Sequence, residues 1–280
     1  MTDLATPVAL SGLAELSESQ FRRIAQLMYE ICGVTLPRGK ETLVRSRLAS
    51  RLRQLGLADY RSYLAYLEQD ASRAELTAMV DALTTNKTSF FRESAHFDLL
   101  VERVLPALAQ RNRSIRIWSA GCSSGEEAYT IAMLLRDHVP QLDQMDARVL
   151  ATDISTRVLA RAQAAVYDAD LLRDVPQNMR RRHFTVVPGQ PRDYRVNEAT
   201  RKLVRVAQLN LMAEWPMRGP FDVIFCRNVM IYFDKPTQER LVQRFWRLLA
   251  PGGHLLVGHS ESLTALSHEF RYVQPAAYVR

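Results

Sequence analysis

Residues 118–127 read WSAGCSSGEE and combine loop glycines, a cysteine, two serines and a pair of carboxylates directly after a short apolar run. The stretch matches G-x-S-x-G, the elbow that presents a serine nucleophile for acyl transfer. It also resembles a glycine loop between a strand and a helix, where a nucleotide binds. The residue types therefore leave three possibilities open: a nucleophile, a phosphate site, or a site for a ligand without phosphate.

The hydrolase interpretation is the weakest of the three. A serine elbow needs oxyanion donors from an earlier strand, but the preceding residues have helical patterns and no HGGG-like segment. His254 and His259 follow in the chain order of a triad, although a histidine at a strand end is usually structural. Cys122 is better explained as a small apolar filler than as a nucleophile.

The phosphate interpretation fails on charge. The stretch has G-x-x-x-G instead of G-x-G-x-x-G, and its helix begins with Glu126 and Glu127. Two acids suit the positive end of a helix dipole but would repel a pyrophosphate there. A cationic ligand without phosphate fits better, and S-adenosylmethionine, with its sulfonium and ammonium groups, is such a ligand.

Asp153 lies in ATDIS (151–155), just after the second predicted strand. In doubly wound sheets this is where a carboxylate accepts hydrogen bonds from ribose hydroxyls, and ligands collect at the carboxyl ends of the strands. Asp153 could instead only cap the helix that starts near Ser155. Its separation from the acidic glycine loop favours the ribose role.

The elements that must position these residues form a parallel sheet. Short apolar runs alternate with helical patterns from residue 115 onward, which predicts a sheet with helices on both faces. A hairpin around Pro275 is expected at the sheet edge. The predicted strands and helices are IRIW (115–118), a helix over 126–138, ARVLAT (147–152), a helix over 155–165, FDVIFC (221–226) and HLLVGH (254–259).

Two other regions follow different patterns. Residues 17–84 are predicted to form four helices, with Ser17 and Gln20 as a capping box, Asp59 capping the third, and Ser72 with Glu75 capping the fourth. Residues of about 183–206, including Val206, interrupt the alternation and suggest a small antiparallel β insertion.

Composition bounds the class of protein. The chain has 280 residues, 47% of them hydrophobic, so two domains with real cores are possible. No apolar run reaches the roughly 18 residues that span a membrane, and MTDLATPVAL lacks a secretory pattern. The three cysteines have no metal-ligand spacing, so we expect a reduced, cytoplasmic protein without a metal. A net charge of +7 is compatible with nucleic acid, an anionic membrane or an acidic protein partner, but a solvated basic surface explains it equally well.

Six longer blocks resemble the chemotaxis receptor methyltransferases, the CheR-type family, which methylate glutamates of chemoreceptors. The similarity runs from the helical region to the end of the chain. The blocks are LTTNKTSFFRE (83–93), WSAGCSSGEEAYTIAM (118–133), ATDIS (151–155), LNL (209–211), FDVIFCRNVMIYFD (221–234) and PGGHLLVGHSES (251–262).

This resemblance implies an α/β fold in two parts. It implies a small all-α N-terminal domain over residues 1–84, and a linker with a first helix over 85–112. A class I, Rossmann-like S-adenosylmethionine-dependent methyltransferase domain with a doubly wound sheet would occupy 113–280. The inserted antiparallel β-subdomain would lie at about 183–206.

The family motifs also imply site residues. Helix geometry does not choose between Glu126 and Glu127, but the family pattern favours the second. Arg92 is a candidate for orienting the substrate carboxylate, shaping the cofactor pocket or forming a salt bridge, and Tyr232 for positioning the methyl group or packing. Implied cofactor contacts are Asn86, Thr88, Arg92, Glu127, Asp153, Asn210, Leu211, Asn228 and Val229.

The implied activity is a protein-glutamate O-methyltransferase that yields glutamyl methyl esters and S-adenosylhomocysteine. Arg47 and Arg51, on the outside of the second helix, are expected to dock the acidic cytoplasmic helices of receptors, with a solvated basic face as the alternative. In some members the β-subdomain pairs with a receptor C-terminal pentapeptide, and the sequence leaves open whether this chain does so.

Two rival functions remain to be weighed. The positive charge would suit an RNA methyltransferase, but no interleaved basic and aromatic surface supports nucleic-acid binding. A non-catalytic adaptor would keep the fold, but the presence of Asp153, Arg92 and the asparagine motifs argues against lost cofactor binding.

Overall fold

The computed structural model describes residues 15–111 and 114–280. It divides into two compact units, and the chain passes from the first to the second between Thr85 and Asn86. The opening segment MTDLATPVAL, and the segment boundary expected at 112–113, lie outside the described residues.

The first unit is helical, and its helices end where local chemistry stops them. Ser17 and Gln20 form the predicted capping box, and Gly33 ends the first helix with a φ of 73°. Asp59 caps the third helix through Ser62 N–H. The helices are α1 (Glu18–Cys32), α2 (Glu41–Leu55), α3 (Tyr60–Gln69) and α4 (Ala74–Leu83).

The start of α4 differs from the prediction. Its N-cap is Arg73 in a left-handed conformation, not Ser72. Asp70 does the capping instead, because its carboxylate accepts hydrogen bonds from Ser72 N–H and Glu75 N–H. Asx-type turns of this kind compete with a direct Ser N-cap.

The second unit is an α/β domain, and the predicted fold class is confirmed. A π-helical turn (Leu100–Val104) joins its first two helices. The helices are α5 (Ala95–Leu99), α6 (Leu105–Gln110), α7 (Glu126–His138), α8 (Thr156–Ala164), α9 (Gln177–His183), α10 (Glu198–Arg201) and α11 (Lys235–Leu248). The strands are β1 (Ile115–Ala120), β2 (Ala147–Asp153), β3 (Val166–Asp168), β4 (Phe184–Val187), β5 (Gln190–Val196), β6 (Val204–Gln208), β7 (Phe221–Cys226), β8 (Leu249–Val257), β9 (Arg271–Gln274) and β10 (Ala277–Val279).

The main sheet has seven strands in the order β6-β2-β1-β7-β8-β10-β9. The first five are parallel, with β1 paired to β2 on one side and β7 on the other, whereas β10 and β9 form the expected antiparallel hairpin. The chain order reverses between β1 and β7, and ligands of open α/β sheets bind at such a switch point, beyond the carboxyl ends of the strands.

The β insertion lies earlier than its predicted range of 183–206. Its three strands are β3, β5 and β4, so it begins at Val166. Residues 204–208 are not part of it, because β6 pairs in parallel with β2, and Val206 lies opposite Ala151. Alternating valines look the same in either sheet, and only the pairing partner distinguishes them.

Candidate functional site

The candidate site lies at the switch point, where the loops after β1, β2 and β7 meet. Gly121 N–H and Cys122 N–H both donate to the Thr152 carbonyl at 2.8 Å, which joins the loop after β1 to the end of β2. Gly121 has a φ of 84°, and a Cβ built there would lie 2.4 Å from Val229 Cγ2. Only glycine therefore allows the loop after β7 to approach so closely.

Asp153 braces this glycine loop. Its Oδ2 accepts from Ser123 N–H at 2.9 Å and its Oδ1 from Ser155 N–H at 2.9 Å. The side chain therefore makes an Asx turn with Ser155, while α8 has no side-chain cap at its first turn. A carboxylate accepts up to about four hydrogen bonds, so these two bonds are compatible with the predicted ribose role.

Glu127 is buried, and each of its carboxylate oxygens accepts a hydrogen bond from a protein group. Its Oε1 accepts from Ser119 Oγ–H at 2.7 Å, and its Oε2 from Arg227 Nη1 at 3.1 Å. Burial raises the pKa of the Glu127 carboxyl, although the Arg227 charge and the Ser119 hydroxyl oppose the shift. The predicted acid thus lies at the site, with a buried cation as its neighbour.

Arg227 is the site residue that sequence reasoning missed. It bridges Glu127 and Glu93, with Nη2 3.2 Å from Glu93 Oε2, and also donates to the Arg92 carbonyl. Burial acts to raise the pKa of the Glu93 carboxyl, but the charge and hydrogen bond of Arg227 together with those of His259 outweigh burial, and the pKa is lowered. The sequence offered one indication of this role, because Arg227 is a charged residue directly after the six mostly buried residues of β7.

The neighbouring acid Glu126 has a separate environment. Both its carboxylate oxygens accept from Ser124 Oγ, at 3.0 and 2.8 Å, and burial raises the pKa of its carboxyl, with Ser124 opposing the shift. Glu126 thus belongs to the loop itself, whereas Glu127 shares a network with Arg227.

Asn228 and Val229 are positioned by Glu261, a second residue that the sequence analysis did not single out. The buried Glu261 carboxylate accepts from the backbone N–H groups of Asn228 and Gly258 at 2.6 Å each, and from Ile231 at 3.1 Å. Asn228 has a φ of 59°, a strained conformation that these bonds hold. In the sequence, Glu261 could have been noticed as the acidic residue within the family block PGGHLLVGHSES (251–262).

The segment over 86–93 is tied to the same loops at both ends. The Asn86 carbonyl accepts from Ser123 Oγ–H at 2.8 Å, and Phe91 and Glu93 have φ values of 53° and 56°. The half-buried Arg92 donates from Nη1 to the Lys87 carbonyl at 2.9 Å. Thr88, within this segment, is also half-buried.

The remaining predicted contacts flank the site. Asn210 makes an Asx turn after β6 by accepting from Met212 N–H at 2.9 Å, and Leu211 beside it is buried. Tyr232 ends a short 3₁₀ turn after β7 and is half-buried. Asn210 therefore makes an ordinary turn bond, and its cofactor role stays a prediction.

Neither nucleophile of the glycine loop has a catalytic partner among the described residues. Cys122 is buried, and its burial raises the pKa of the thiol well above the ordinary value. Ser123 Oγ donates to the Asn86 carbonyl instead of to a histidine. Both observations favour the structural interpretation of these side chains.

Arg47 and Arg51, predicted to lie together on the outside of the second helix, are half-buried and have partners within the helical unit, so their docking role stays a prediction. Arg47 donates to the Leu83 and Thr84 carbonyls at the end of α4, and Arg51 pairs with the buried Glu75. A buried carboxylate needs such a counter-charge, so both guanidinium groups join α2 to α4. Within residues 15–111 and 114–280, every helix is too short or too polar to span a bilayer.

Comparison with known proteins identifies relatives of both units. The family model for the CheR methyltransferase SAM-binding domain matches residues 86–279, and the model for the CheR methyltransferase all-alpha domain matches residues 19–84. A probable chemotaxis protein methyltransferase of Rhizobium etli is 45% identical, with 85% of this chain and 90% of that protein covered.

Two further relatives cover more of the chain. A chemotaxis protein methyltransferase of Klebsiella aerogenes is 44% identical over 94% of this chain and 90% of that protein. Chemotaxis protein methyltransferase 2 of Pseudomonas aeruginosa is 41% identical over 98% of both chains.

Proposed function

The chain belongs to the CheR methyltransferase family, and from this premise we propose that it methylates glutamate side chains of bacterial chemoreceptors. The cofactor is S-adenosylmethionine, and the products are glutamyl methyl esters and S-adenosylhomocysteine. The observation that carries the proposal is the match of both units, with relatives named chemotaxis protein methyltransferases over nearly the whole chain.

The residues at the switch point fit this cofactor. Glu127 and Asp153 place two buried carboxylates beyond the ends of β1 and β2, where a ligand with ammonium and ribose groups needs them. The loop offers no basic side chain between Gly121 and Glu127 to bind a phosphate. Proposed contacts are Asn86, Thr88, Arg92, Glu127, Asp153, Asn210, Leu211, Asn228 and Val229.

For this reaction the protein mainly has to align the substrate carboxylate with the methyl group of the cofactor. S-adenosylmethionine supplies, when bound, a methyl group activated by the sulfonium. A substrate glutamate is already ionised at neutral pH, so the chain needs no general base. The negative charge of the carboxylate and the positive charge of the sulfonium neutralise each other in the transition state. A strong ion pair to the incoming carboxylate would therefore stabilise the ground state more than the transition state and slow the reaction. In ideal cases, alignment gives the reacting groups an effective molarity of up to roughly 10⁵–10⁸ M.

Arg92 and Tyr232 are the proposed aligning residues. Arg92 lies in the segment that Arg227 and Ser123 attach to the site, and its Nη1 contact with the Lys87 carbonyl holds the side chain in one direction. Tyr232 follows the Asn228–Val229 loop that Glu261 holds. We propose that Arg92 orients the substrate carboxylate and that Tyr232 limits the position of the methyl group.

Receptor docking by the helical unit is part of the proposal. Since Arg47 and Arg51 stabilise this unit, charge reversal there would test folding as well as docking. Arg53 on the same helix is exposed and is the better probe. We expect Arg53→Glu to slow receptor methylation and a rise in salt concentration to slow the wild-type enzyme.

The proposal is tested by transfer of tritiated methyl groups to receptor-containing membranes. We expect label that base releases as methanol, as glutamyl methyl esters require, and none on a receptor whose candidate glutamates are replaced by alanine. Label on RNA instead would support the rival methyltransferase, and no label on either, with S-adenosylmethionine still bound, would support an adaptor.

A further inference from the structure

Beside the candidate site, Glu93, His96 and His259 form a cluster, and we propose that it binds a divalent transition-metal cation with the ligand preferences of Zn²⁺. Glu93 precedes α5, His96 lies in the first turn of that helix, and His259 follows β8. The His96 Nδ1 atom lies 3.6 Å from Glu93 Oε2, and His259 Nε2 lies 4.0 Å from the same oxygen. One ligand atom from each residue falls within 4.8 Å of the others.

These separations are close to those of a metal site. Zn²⁺ binds imidazole nitrogen and carboxylate oxygen at about 2.0–2.2 Å in tetrahedral geometry, which places ligand atoms roughly 3.3–3.5 Å apart. The three atoms would therefore need to approach each other by no more than about 1.5 Å. Two imidazoles and one carboxylate are a set that catalytic zinc sites also use, with a fourth position left open.

The buried histidine supplies an independent observation. His96 has no solvent exposure, and neither of its ring nitrogens has a hydrogen-bond partner within residues 15–111 and 114–280. Buried polar atoms are nearly always paired, because an unpaired one keeps the full penalty of its removal from water. A cation bound at Nδ1 would satisfy one of these nitrogens, and Nδ1 points toward Glu93 Oε2.

An entry path exists on the side of the third ligand. The His259 side chain is 53% exposed, so a hydrated cation can meet this imidazole first and reach the buried ligands from it. The two imidazole rings lie 5.3 Å apart between centroids, close enough for both to bind one ion after small side-chain rotations.

Arg227 limits the affinity of this site. Its guanidinium lies 3.2 Å from Glu93 Oε2 and would repel a dication there, although the Glu93 and Glu127 carboxylates offset part of the repulsion. We therefore expect binding weaker than in a structural zinc site. A bound cation would compete with Arg227 for the Glu93 carboxylate, so that Arg227 would keep only Glu127 as its acidic partner. Metal binding would therefore change the ion pairs of the candidate site.

The test measures Zn²⁺ binding to the full chain by calorimetry. One equivalent should bind to the wild type, and His259→Ala should weaken that binding by at least about 10-fold, because loss of even an outer partner of a metal ligand costs roughly 10- to 100-fold. The matched control is His138→Ala on α7, an exposed histidine outside the cluster, which should leave the affinity unchanged.

A second readout does not depend on calorimetry. Co²⁺ in the same site should give visible d–d absorption in the wild type and in His138→Ala, and the bands should be lost in His259→Ala and Glu93→Gln. Circular dichroism establishes that each variant is folded. Equal Zn²⁺ affinity in the wild type and His259→Ala, or no binding by the wild type, would overturn the proposal. The binding assay requires no methyl transfer, so it stands or falls separately from the proposed function.

Discussion

At the scale of the residue, the site depends on how buried charges are paired. Arg227 holds two carboxylates, the half-buried Glu93 and the buried Glu127, and without it both would lose this counter-charge. Glu261 holds the loop after β7 in place, because its carboxylate accepts hydrogen bonds from three backbone N–H groups. These two residues position the side chains that are proposed to contact the cofactor.

Glu127→Gln should weaken S-adenosylmethionine binding by roughly 10- to 150-fold, since a hydrogen bond to a charged group contributes about 1.5–3 kcal/mol. Arg227 would keep Glu93 as its partner, so the fold should persist. Glu126→Gln is the matched control, because that carboxylate bonds to Ser124 within the loop. Calorimetry measures both affinities, and an equal loss in the two variants would contradict the assignment to Glu127.

Arg92→Ala should slow methyl transfer by about 100-fold, the loss that a misplacement of about 1 Å can cause. Cofactor affinity should change much less if Arg92 acts on the substrate carboxylate. Single-turnover rates and calorimetric affinities are compared for Arg92→Ala and Arg92→Lys, which keeps the charge but not the planar fork. Equal losses of rate and affinity would make Arg92 a cofactor contact only.

At the scale of the element, the glycine loop after β1 and the loop after β7 form a single packed unit. Gly121 lets Val229 approach, and Gly258 in turn makes room for Asn228, whose Nδ2 lies 2.7 Å from a Cβ built at Gly258. The loops are thus set by backbone proximity as well as by their polar residues. Strands β1 and β7 bring them together because they are neighbours in the sheet.

Gly121→Ala should lower the free energy of unfolding of the second unit by more than the cost of placing alanine at a left-handed φ. Gly189, in the turn between β4 and β5, has a φ of 77° with nothing within 4 Å of a built Cβ, so Gly189→Ala measures the φ cost, about 1–2 kcal/mol. Gly121→Ala adds a clash with Val229, worth about 1–3 kcal/mol more, and should weaken cofactor binding.

Urea unfolding of both glycine variants gives the two free energies, and calorimetry gives the two cofactor affinities. Equal destabilisation of the Gly121 and Gly189 variants would show that Val229 moves aside without cost. In that case the close approach of the two loops would not require glycine.

At the scale of the whole molecule, the chain contains two compact units, and the second carries all the proposed cofactor contacts. The β insertion is attached to that unit by His183, whose Nδ1 lies 3.0 Å from Thr200 Oγ1 and whose Nε2 lies 3.1 Å from Asp137 Oδ1. Burial lowers the pKa of this imidazole, although Asp137 opposes the shift. Arg182 and Arg136 act in the same direction as burial.

The stability of the second unit should fall as the pH is lowered through 6.5, the ordinary pKa of histidine. The folded-state pKa of His183 is lowered, so the unfolded chain binds more protons in this range and stability rises with pH. His183→Gln should flatten the slope between about pH 7 and 5.5. Urea unfolding across this range measures the slope, with His138→Gln as control; an unchanged slope in His183→Gln would contradict this role.

Much of the fold was predictable because burial leaves a pattern in the chain. Buried parallel strands such as β1 and β7 are apolar runs, and the caps at Ser17 and Asp59 are local chemistry. The three-residue strand β3 was missed because it is too short to show a period, and β6 was assigned to the wrong sheet because its partner β2 is distant in sequence.

The family and the cofactor class could be inferred from the amino-acid chain, and candidate residues could be predicted from it, since these depend on residue types at fixed spacing within single loops. How those residues are paired depends on the folded structure. Arg227 meets Glu127 across 100 positions, Glu261 meets Asn228 across 33, and His259 reaches Glu93 from another strand end. Burial makes each of these pairings necessary, because a charge removed from water needs a partner, and folding brings together partners that are distant in the sequence.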